Sequence, residues 1–262
     1  MADTLADAVA AVAAEAGRLA MARAAQGFRS WDKSPGHPVS EVDLEVDALL
    51  RARLSALDPA AGWLSEETVD DPARLQCARA WVVDPIDGTR DYVRGRPGWA
   101  VSIALVEAGQ PVIALLAAPA RGETWRAEAG RGATLNNRAI RAGDRRDFAG
   151  ARVPTDTLPV IDRDLVAVEK PNSIALRIAM VADDRADLLA TLRWGHEWDI
   201  AAAVLIAREA GAVATDALGQ PLAFNTPAAS AFGVLASTPG IHAAAVARLA
   251  GRAHAISRET AA

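Results

Sequence analysis

Cysteine occurs once in the 262 residues, at Cys77. A single thiol makes no internal disulfide and no thiolate metal site. Lysine occurs only at Lys33 and Lys170, so arginine carries the rest of the positive charge, which reads as a compositional habit and not as a function. Acidic residues outnumber basic ones, 33 against 28, for a net charge of −5, and this speaks against a general nucleic-acid-binding surface. No apolar run approaches the ~20 residues that a bilayer span requires. The alanine-rich start is interrupted by Asp3, Asp7, Glu15 and Arg18, which the apolar region of a signal peptide would not tolerate. A soluble, cytoplasmic protein is the expectation.

The chain is long enough for one large domain or two lobes. Hydrophobic residues at 51% and charged residues at 23% suit a globular protein. Residues 2–25 read as an amphipathic helix, and Val42, Val46, Leu49, Leu50 and Leu54 recur at helical spacing until Asp58-Pro59. Between them, "SWDKSPGHPVS" predicts a loop or hairpin. "GWLSEET" and "RAWVVDPIDG" read as strands, the second ending at Pro85 and Gly88, and residues 99–137 read as successive strands with turns at "EAGQP" and "PARGE". The polar stretch after Arg141 marks the passage between lobes, taken as 1–145 and 146–262. Residues 174–192 suit either helix or strand, with a break at Asp183-Asp184, and Trp198 to Ala212 is a helix followed by the strand-turn "AVATDALGQPLAF". Interleaved helices and strands predict a layered α/β or α+β fold.

The residues able to bind a hard cation fall in three separated places: Glu66-Glu67, then Asp84 and Asp87, then Asp199. Oxygen donors with no nearby Cys or His favour Mg²⁺ or Mn²⁺ over Zn²⁺. Pro85 stiffens the turn between Asp84 and Asp87, and Gly88-Thr89 follows directly, where a glycine lets a ligand approach the backbone and a helix start offers free N–H groups to a phosphate. Each piece also has a plain structural reading. D-P-x-D-G is good turn and N-cap chemistry, Glu66-Glu67 alone is a solvated helix start, and Asp199 alone complements a helix dipole.

In combination the blocks are specific. "WLSEET" (63–68), "WVVDPIDGTRDYVRG" (81–95) and "EWDIAAAVLIAREAGA" (197–212), with "DKSPGHPVSEVD" (32–43) before them, resemble the signature blocks of the inositol monophosphatase family. That is the Mg²⁺-dependent, lithium-sensitive phosphatase superfamily that also includes 3′(2′),5′-bisphosphate nucleotidases. The resemblance implies a layered α-β-α-β-α sandwich and a metal-assisted phosphomonoesterase. It implies that Glu66, Asp84 and the Ile86 carbonyl hold one Mg²⁺, that Asp84, Asp87 and Asp199 hold a second, and that a third, weaker ion sits near Glu66. Asp43, Thr89 and Glu66 are the implied catalytic groups, with Thr89 in contact with Asp43, and the phosphate rests on the Gly88 and Thr89 amides. The family's Gly-Ser/Thr step corresponds to Asn172-Ser173, an implied substrate contact. Homodimer and monomer are both open.

Two departures bear on the reading. Ser65 stands where the family usually has glycine, with little consequence expected. The glutamate that contacts substrate in inositol phosphatases is missing, because no acidic residue lies between Asp187 and Glu197, while Arg193 falls in that stretch. Loss of a carboxylate and gain of a cation tilt the substrate toward one with a second anionic group, and "LSEET" and "HEWDIAAA" look closer to bacterial bisphosphate nucleotidases. Adenosine 3′,5′-bisphosphate is the expected substrate. Inositol-1-phosphate or a range of sugar phosphates is the alternative, and a non-catalytic binding protein of the same fold is a third reading. His37 and His196 read as loop residues, and Asp91 as a helix-start residue outside the chemistry.

Overall fold

The computed structural model describes residues 4–259. Helix α1 (Leu5–Gln26) starts from a capping box in which Thr4 and Asp7 exchange hydrogen bonds. A hairpin of β1 (Ser30–Ser34) and β2 (His37–Ser40) leads into α2 (Glu41–Leu57), which Ser40 and Asp43 cap in the same manner. Next come β3 (Gly62–Ser65), β4 (Arg79–Asp87), the five-residue α3 (Thr89–Val93), β5 (Ala100–Glu107), β6 (Gln110–Ala118), β7 (Glu123–Glu128), β8 (Ala133–Leu135) and β9 (Arg138–Ala139). Strands β3 to β9 form one seven-stranded sheet in sequence order. Its β3–β4 pair is parallel and the other pairs are antiparallel.

The chain then passes through a short parallel pair, β10 (Arg152–Pro154) and β11 (Val166–Val168), into α4 (Ile174–Ala182), β12 (Leu188–His196), α5 (Ala201–Glu209), β13 (Val213–Thr215), β14 (Ser230–Ser237) and α6 (His242–Glu259). The second sheet is antiparallel, with β14 in the middle of the order β12-β14-β13.

Alternation along the strands assigns the layers, because successive side chains leave opposite faces of a sheet. Trp81, Val83, Ile103 and Leu105 pack with Val9, Ala13, Val46 and Leu50 of α1 and α2. Val82, Ala104, Leu116 and Trp125, from the other face, pack with α4 and α5, and the same cluster holds Leu189, Val234 and Ala236 of the second sheet. Leu188 and Leu235 face outward onto Ala245 and Leu249 of α6. The order is therefore helices, sheet, helices, sheet, helix, which is the expected α-β-α-β-α sandwich. Helices α4 and α5 lie between two sheets, so residues Ala201 to Ala207 are all buried, as a helix without a solvent face requires. Full burial of a side chain such as Leu116 or Val204 contributes roughly 1.5–3 kcal/mol.

Strand β4 passes Pro85 through a bulge and ends at Asp87, directly before Gly88. Two local expectations are corrected. Helix α5 begins at Ala201, after a turn over residues 197–200, and not at Trp198. Residues 174–192 are both helix and strand, divided near Asp184, whose φ is +63°. Among the described residues, no helix is long and apolar enough to cross a membrane.

Candidate active site

Asp84 and Asp87 are three residues apart, a spacing that in a regular strand sends two side chains to opposite faces. Here Asp84 pairs with Ser102 and Asp87 with Ala100, so Pro85 and Ile86 together oppose Val101. The extra residue of this bulge restores both carboxylates to the face that looks toward α4 and α5. Proline is tolerated at a bulge because no ladder donor is needed there. The Ile86 amide donates to Asp84 Oδ1 at 2.9 Å and fixes that carboxylate.

Asp87 meets the start of α4. Its Oδ2 accepts from Ser173 Oγ at 2.5 Å and from the Ala175 amide at 2.7 Å. Gly88 carries φ +95°, and a Cβ there would lie 2.7 Å from the Gly98 carbonyl oxygen and 2.9 Å from Ser173 N. Only glycine fits this turn. Thr89 opens α3, and its hydroxyl lies 3.0 Å from both Asp43 Oδ1 and the Ile86 carbonyl oxygen. Asp43 Oδ2 is already occupied by the Ser40 amide and hydroxyl, so the α2 capping box also aims the other Asp43 oxygen at Thr89.

Ser65 does more than its expected minor role. Its hydroxyl donates to Asp47 Oδ1 at 2.5 Å while Thr68 Oγ1 donates to Asp47 Oδ2 at 2.7 Å. The Glu66-Glu67 segment is thus tied to α2 on either side. Lys33, from the β1–β2 hairpin, donates to Glu67 at 2.5 Å and to Glu66 at 3.4 Å.

One carboxylate oxygen each from Glu66, Asp84 and Asp199 lies within 4.8 Å of the others. With an effective dielectric constant of about 20, full charges at that separation repel by roughly 3 kcal/mol per pair. Burial first, then Glu66, Asp87 and Asp199, push Asp84 well above the usual carboxylate range, and burial followed by Asp87 and Glu66 does the same to Asp199. Asp87 is raised by burial to about 6 even though Ser173 and the Ala175 amide favour its charged form. Glu67 is raised by burial to about 7 against the pull of Lys33, and burial raises Asp43. Such a group is stable when it holds protons or a cation. Oxygen donors without His or Cys fit a hard divalent cation. Glu66, Asp84 and Asp199 converge, and Asp87 stands beside them with Oδ2 engaged by α4.

These groups line a cleft of about 790 Å³. Gly88, Thr89, Asn172 and Arg193 line it too, but Ser173 does not. Ser173 is fully buried, caps α4 and donates its hydroxyl to Asp87. Asn172 is positioned through its amide, which donates to Asp91 Oδ2 at 3.2 Å. Asp91 therefore ties α3 to the segment before α4 in addition to lying in the first turn of α3.

Several residues at the cleft had no assigned role in the sequence reading. Both lysines, Lys33 and Lys170, line it, as do Arg177 and Trp194. His196 ends β12 and stacks on Trp198 with ring centroids 4.2 Å apart, so it is not a loop residue. The rarity of lysine was the available signal for the first two. Behind the cleft, fully buried Glu197 accepts from the Asn225 and Thr226 amides and the Thr226 hydroxyl. Arg74 reaches the same two residues, at Asn225 Oδ1 (2.6 Å) and the Thr226 carbonyl (2.9 Å), and pairs with Asp70. This network joins the segment after Glu66-Glu67 to the turn that carries Asp199.

The family model for the inositol monophosphatase family matches residues 1–257. An inositol-1-monophosphatase of Rhizobium meliloti is 34% identical over 205 residues, 71% of this chain and 75% of its own. A Nus factor SuhB of Xylella fastidiosa is 37% identical over 196 residues, 69% of each chain. Among solved structures, an IMPase of Thermotoga maritima superimposes with a TM-score of 0.80 at 27% identity, over 94% of this chain and 96% of its own. The chain belongs to the inositol monophosphatase family of phosphatases.

Proposed function

We propose that the protein is a divalent-cation-dependent phosphomonoesterase that transfers a phosphoryl group to water, with adenosine 3′,5′-bisphosphate as its substrate and AMP and phosphate as products. The convergence of Glu66, Asp84 and Asp199 within 4.8 Å on the floor of an open cleft carries the reading. These three, with Asp87 and the Ile86 carbonyl beside them, would hold the cations, Mg²⁺ first and Mn²⁺ as a substitute. Bound there, such ions offset phosphate charge, acidify the attacking water and steady the departing oxygen.

The chain's own residues do the rest. Gly88 and Thr89 stand at the start of α3, where backbone amides have no helical acceptor, and they offer those donors to the phosphate. The Thr89 hydroxyl has one proton to give. Donated to Asp43, it leaves the oxygen lone pairs to accept from the attacking water. The water oxygen forms a bond to phosphorus as the ester P–O bond breaks, and the proton lost by water ends on the departing sugar oxygen.

Arg193, exposed in the cleft, supports the preference for a substrate with a second anion. The two acidic residues that bound its stretch are committed elsewhere. Asp187 pairs with Arg145 and Arg152, and Glu197 holds Asn225 and Thr226. Neither is placed to bind a polyol.

The names of the relatives favour a second reading, inositol-1-phosphate or several sugar phosphates as substrates. The relative named as a Nus factor keeps a third open, a binding protein of the same fold. Phosphate release from a phosphomonoester panel with purified protein decides among them. Release that requires Mg²⁺, is inhibited by Li⁺ and disappears in Asp87→Asn is expected. Inositol-1-phosphate cleaved far faster than the bisphosphate overturns the substrate, and no release from any ester favours the binding protein.

A further inference from the structure

Strand β12 carries a second bulge. Thr191 pairs with Val234 and Trp194 with Phe232, so Leu192 and Arg193 together oppose Gly233. Gly233 has φ +67°, and a Cβ on it would overlap the Thr191 carbonyl oxygen at 2.1 Å. The irregularity is therefore built into the packing of the two strands. Its consequence is that adjacent residues, Arg193 and Trp194, both line the cleft. Bulges next to active sites commonly re-aim side chains in this way.

Trp194 is 51% exposed, and its ring stands edge-on to Phe232 with centroids 5.6 Å apart. Such an exposed large aromatic at the mouth of a polar cleft offers a flat surface for stacking. His196, two residues on, lines the same cleft.

Arg177 supplies the charge. It projects from the first turns of α4, and its guanidinium donates to the Ser173 and Asn172 carbonyls at 3.2 Å each. Among the described residues it has no carboxylate within ion-pairing distance, and Arg193 is close enough to repel it. Burial pulls the Arg177 pKa below its ordinary value, Asp87 opposes it, and Arg193 and Asp156 act more weakly in opposite directions. Two guanidinium groups lining one cleft are complementary to a further anion.

We infer that Arg177, Arg193 and Trp194 form a leaving-group subsite for a planar aromatic base carrying a second phosphate. The subsite sets specificity and touches no reacting atom. It rests on the phosphatase reading of the cleft and adds to it the residues that tell a nucleoside bisphosphate from a monophosphate or a polyol phosphate.

Four esters separate the contributions: adenosine 3′,5′-bisphosphate, adenosine 3′-monophosphate, fructose 1,6-bisphosphate and inositol-1-phosphate. In Arg193→Ala, the ratio of kcat/KM for adenosine bisphosphate over adenosine monophosphate is expected to fall about tenfold, mainly through KM. Arg177→Lys, which keeps the charge but loses the planar fork, is expected to lower the same ratio by less. In Trp194→Ala, the ratio of adenosine bisphosphate over fructose bisphosphate is expected to fall about tenfold. Calorimetric titration of adenosine 3′,5′-bisphosphate into wild type and Trp194→Ala, which needs no turnover, should show the same loss of affinity.

If all four esters weaken together in each variant, or if Trp194→Ala binds the nucleotide as well as wild type, the subsite is refuted while the phosphatase stands. Absence of turnover on every ester refutes the phosphatase, and the titration then still decides whether the rim binds a nucleotide.

Discussion

Ser173 and Asp87 lie 86 positions apart, on opposite sides of the passage between the sheets, yet the Ser173 hydroxyl donates to Asp87 Oδ2 at 2.5 Å. The same hydroxyl accepts from the Leu176 amide at 2.9 Å. One side chain thus caps α4 and orients a carboxylate at the cleft. Ser173→Ala removes both bonds. Hydrogen bonds to charged groups contribute about 1.5–3 kcal/mol, so a 10- to 100-fold weaker Mg²⁺ requirement curve is expected, with Ser173→Thr close to wild type. Titration of Mg²⁺ against thermal stability and against activity checks both variants.

Gly88 and Gly95 both have positive φ, at +95° and +65°, but their surroundings differ. A Cβ on Gly95 meets nothing within 4 Å, whereas one on Gly88 meets Gly98 O at 2.7 Å and Ser173 N at 2.9 Å. Gly95→Ala should cost only the backbone strain, about 1–2 kcal/mol. Gly88→Ala must in addition push Ser173 and Gly98 away, which displaces Asp87 and the α3 amides together. Loss of at least 100-fold in kcat/KM is expected there, against a near-normal value for Gly95→Ala, since misplacement of about 1 Å can cost that much.

Glu197 was visible in the sequence only as the residue before the Trp-Asp pair, and its work is structural. It is fully buried and satisfies two backbone amides and a hydroxyl from Asn225 and Thr226. Glu197→Ala leaves those donors without an acceptor, at about 1–3 kcal/mol each. A fall in melting temperature of roughly 10 °C is expected for a chain of this size, with a smaller fall for Glu197→Gln, which keeps one acceptor. If Glu197→Ala melts like wild type, the network does not hold the segment after Glu66-Glu67 to the turn that carries Asp199.

The layers were legible because α1, α2 and the strands of the first sheet obey simple periods. Trp81, Val82 and Val83 alternate between two cores, and the turns between β5, β6 and β7 carry their glycines and prolines in sequence. The bulges were not legible. Whether Asp84 and Asp87 share a face depends on Val101 facing two residues instead of one, and that is a property of strand pairing. For the same reason Arg193 was visible as a lone cation while Trp194 and Arg177 were not. Arg177 reads as the polar position of an apolar helix until α4 is docked against β4. The candidate carboxylates themselves were visible because hard-cation chemistry requires those residue types, whereas the bond from Ser173 to Asp87 was not, because it joins positions 86 apart.

The buried carboxylates give stability a pH dependence that a divalent cation should reverse. Asp87 rises to about 6 in the folded chain from an ordinary value of 3.8, with burial as the main cause. The folded state therefore holds a proton that the unfolded state has released between these values. The stability due to Asp87 is fully present below pH 3.8 and is lost as pH rises through 6, by about 3 kcal/mol in all. Asp84 and Asp199 are raised as well and act in the same direction. In EDTA, the melting temperature should fall between pH 5 and pH 8. Excess Mg²⁺ should restore it at pH 8, since a ligand at 100 times its Kd stabilises by about 2.7 kcal/mol, and should do little at pH 5, where protons occupy the site. Asp87→Asn should flatten the EDTA profile because it removes one titrating charge. A profile in EDTA that is flat for wild type, or equally steep in Asp87→Asn, would show that these carboxylates are not held together at the cost of their charge.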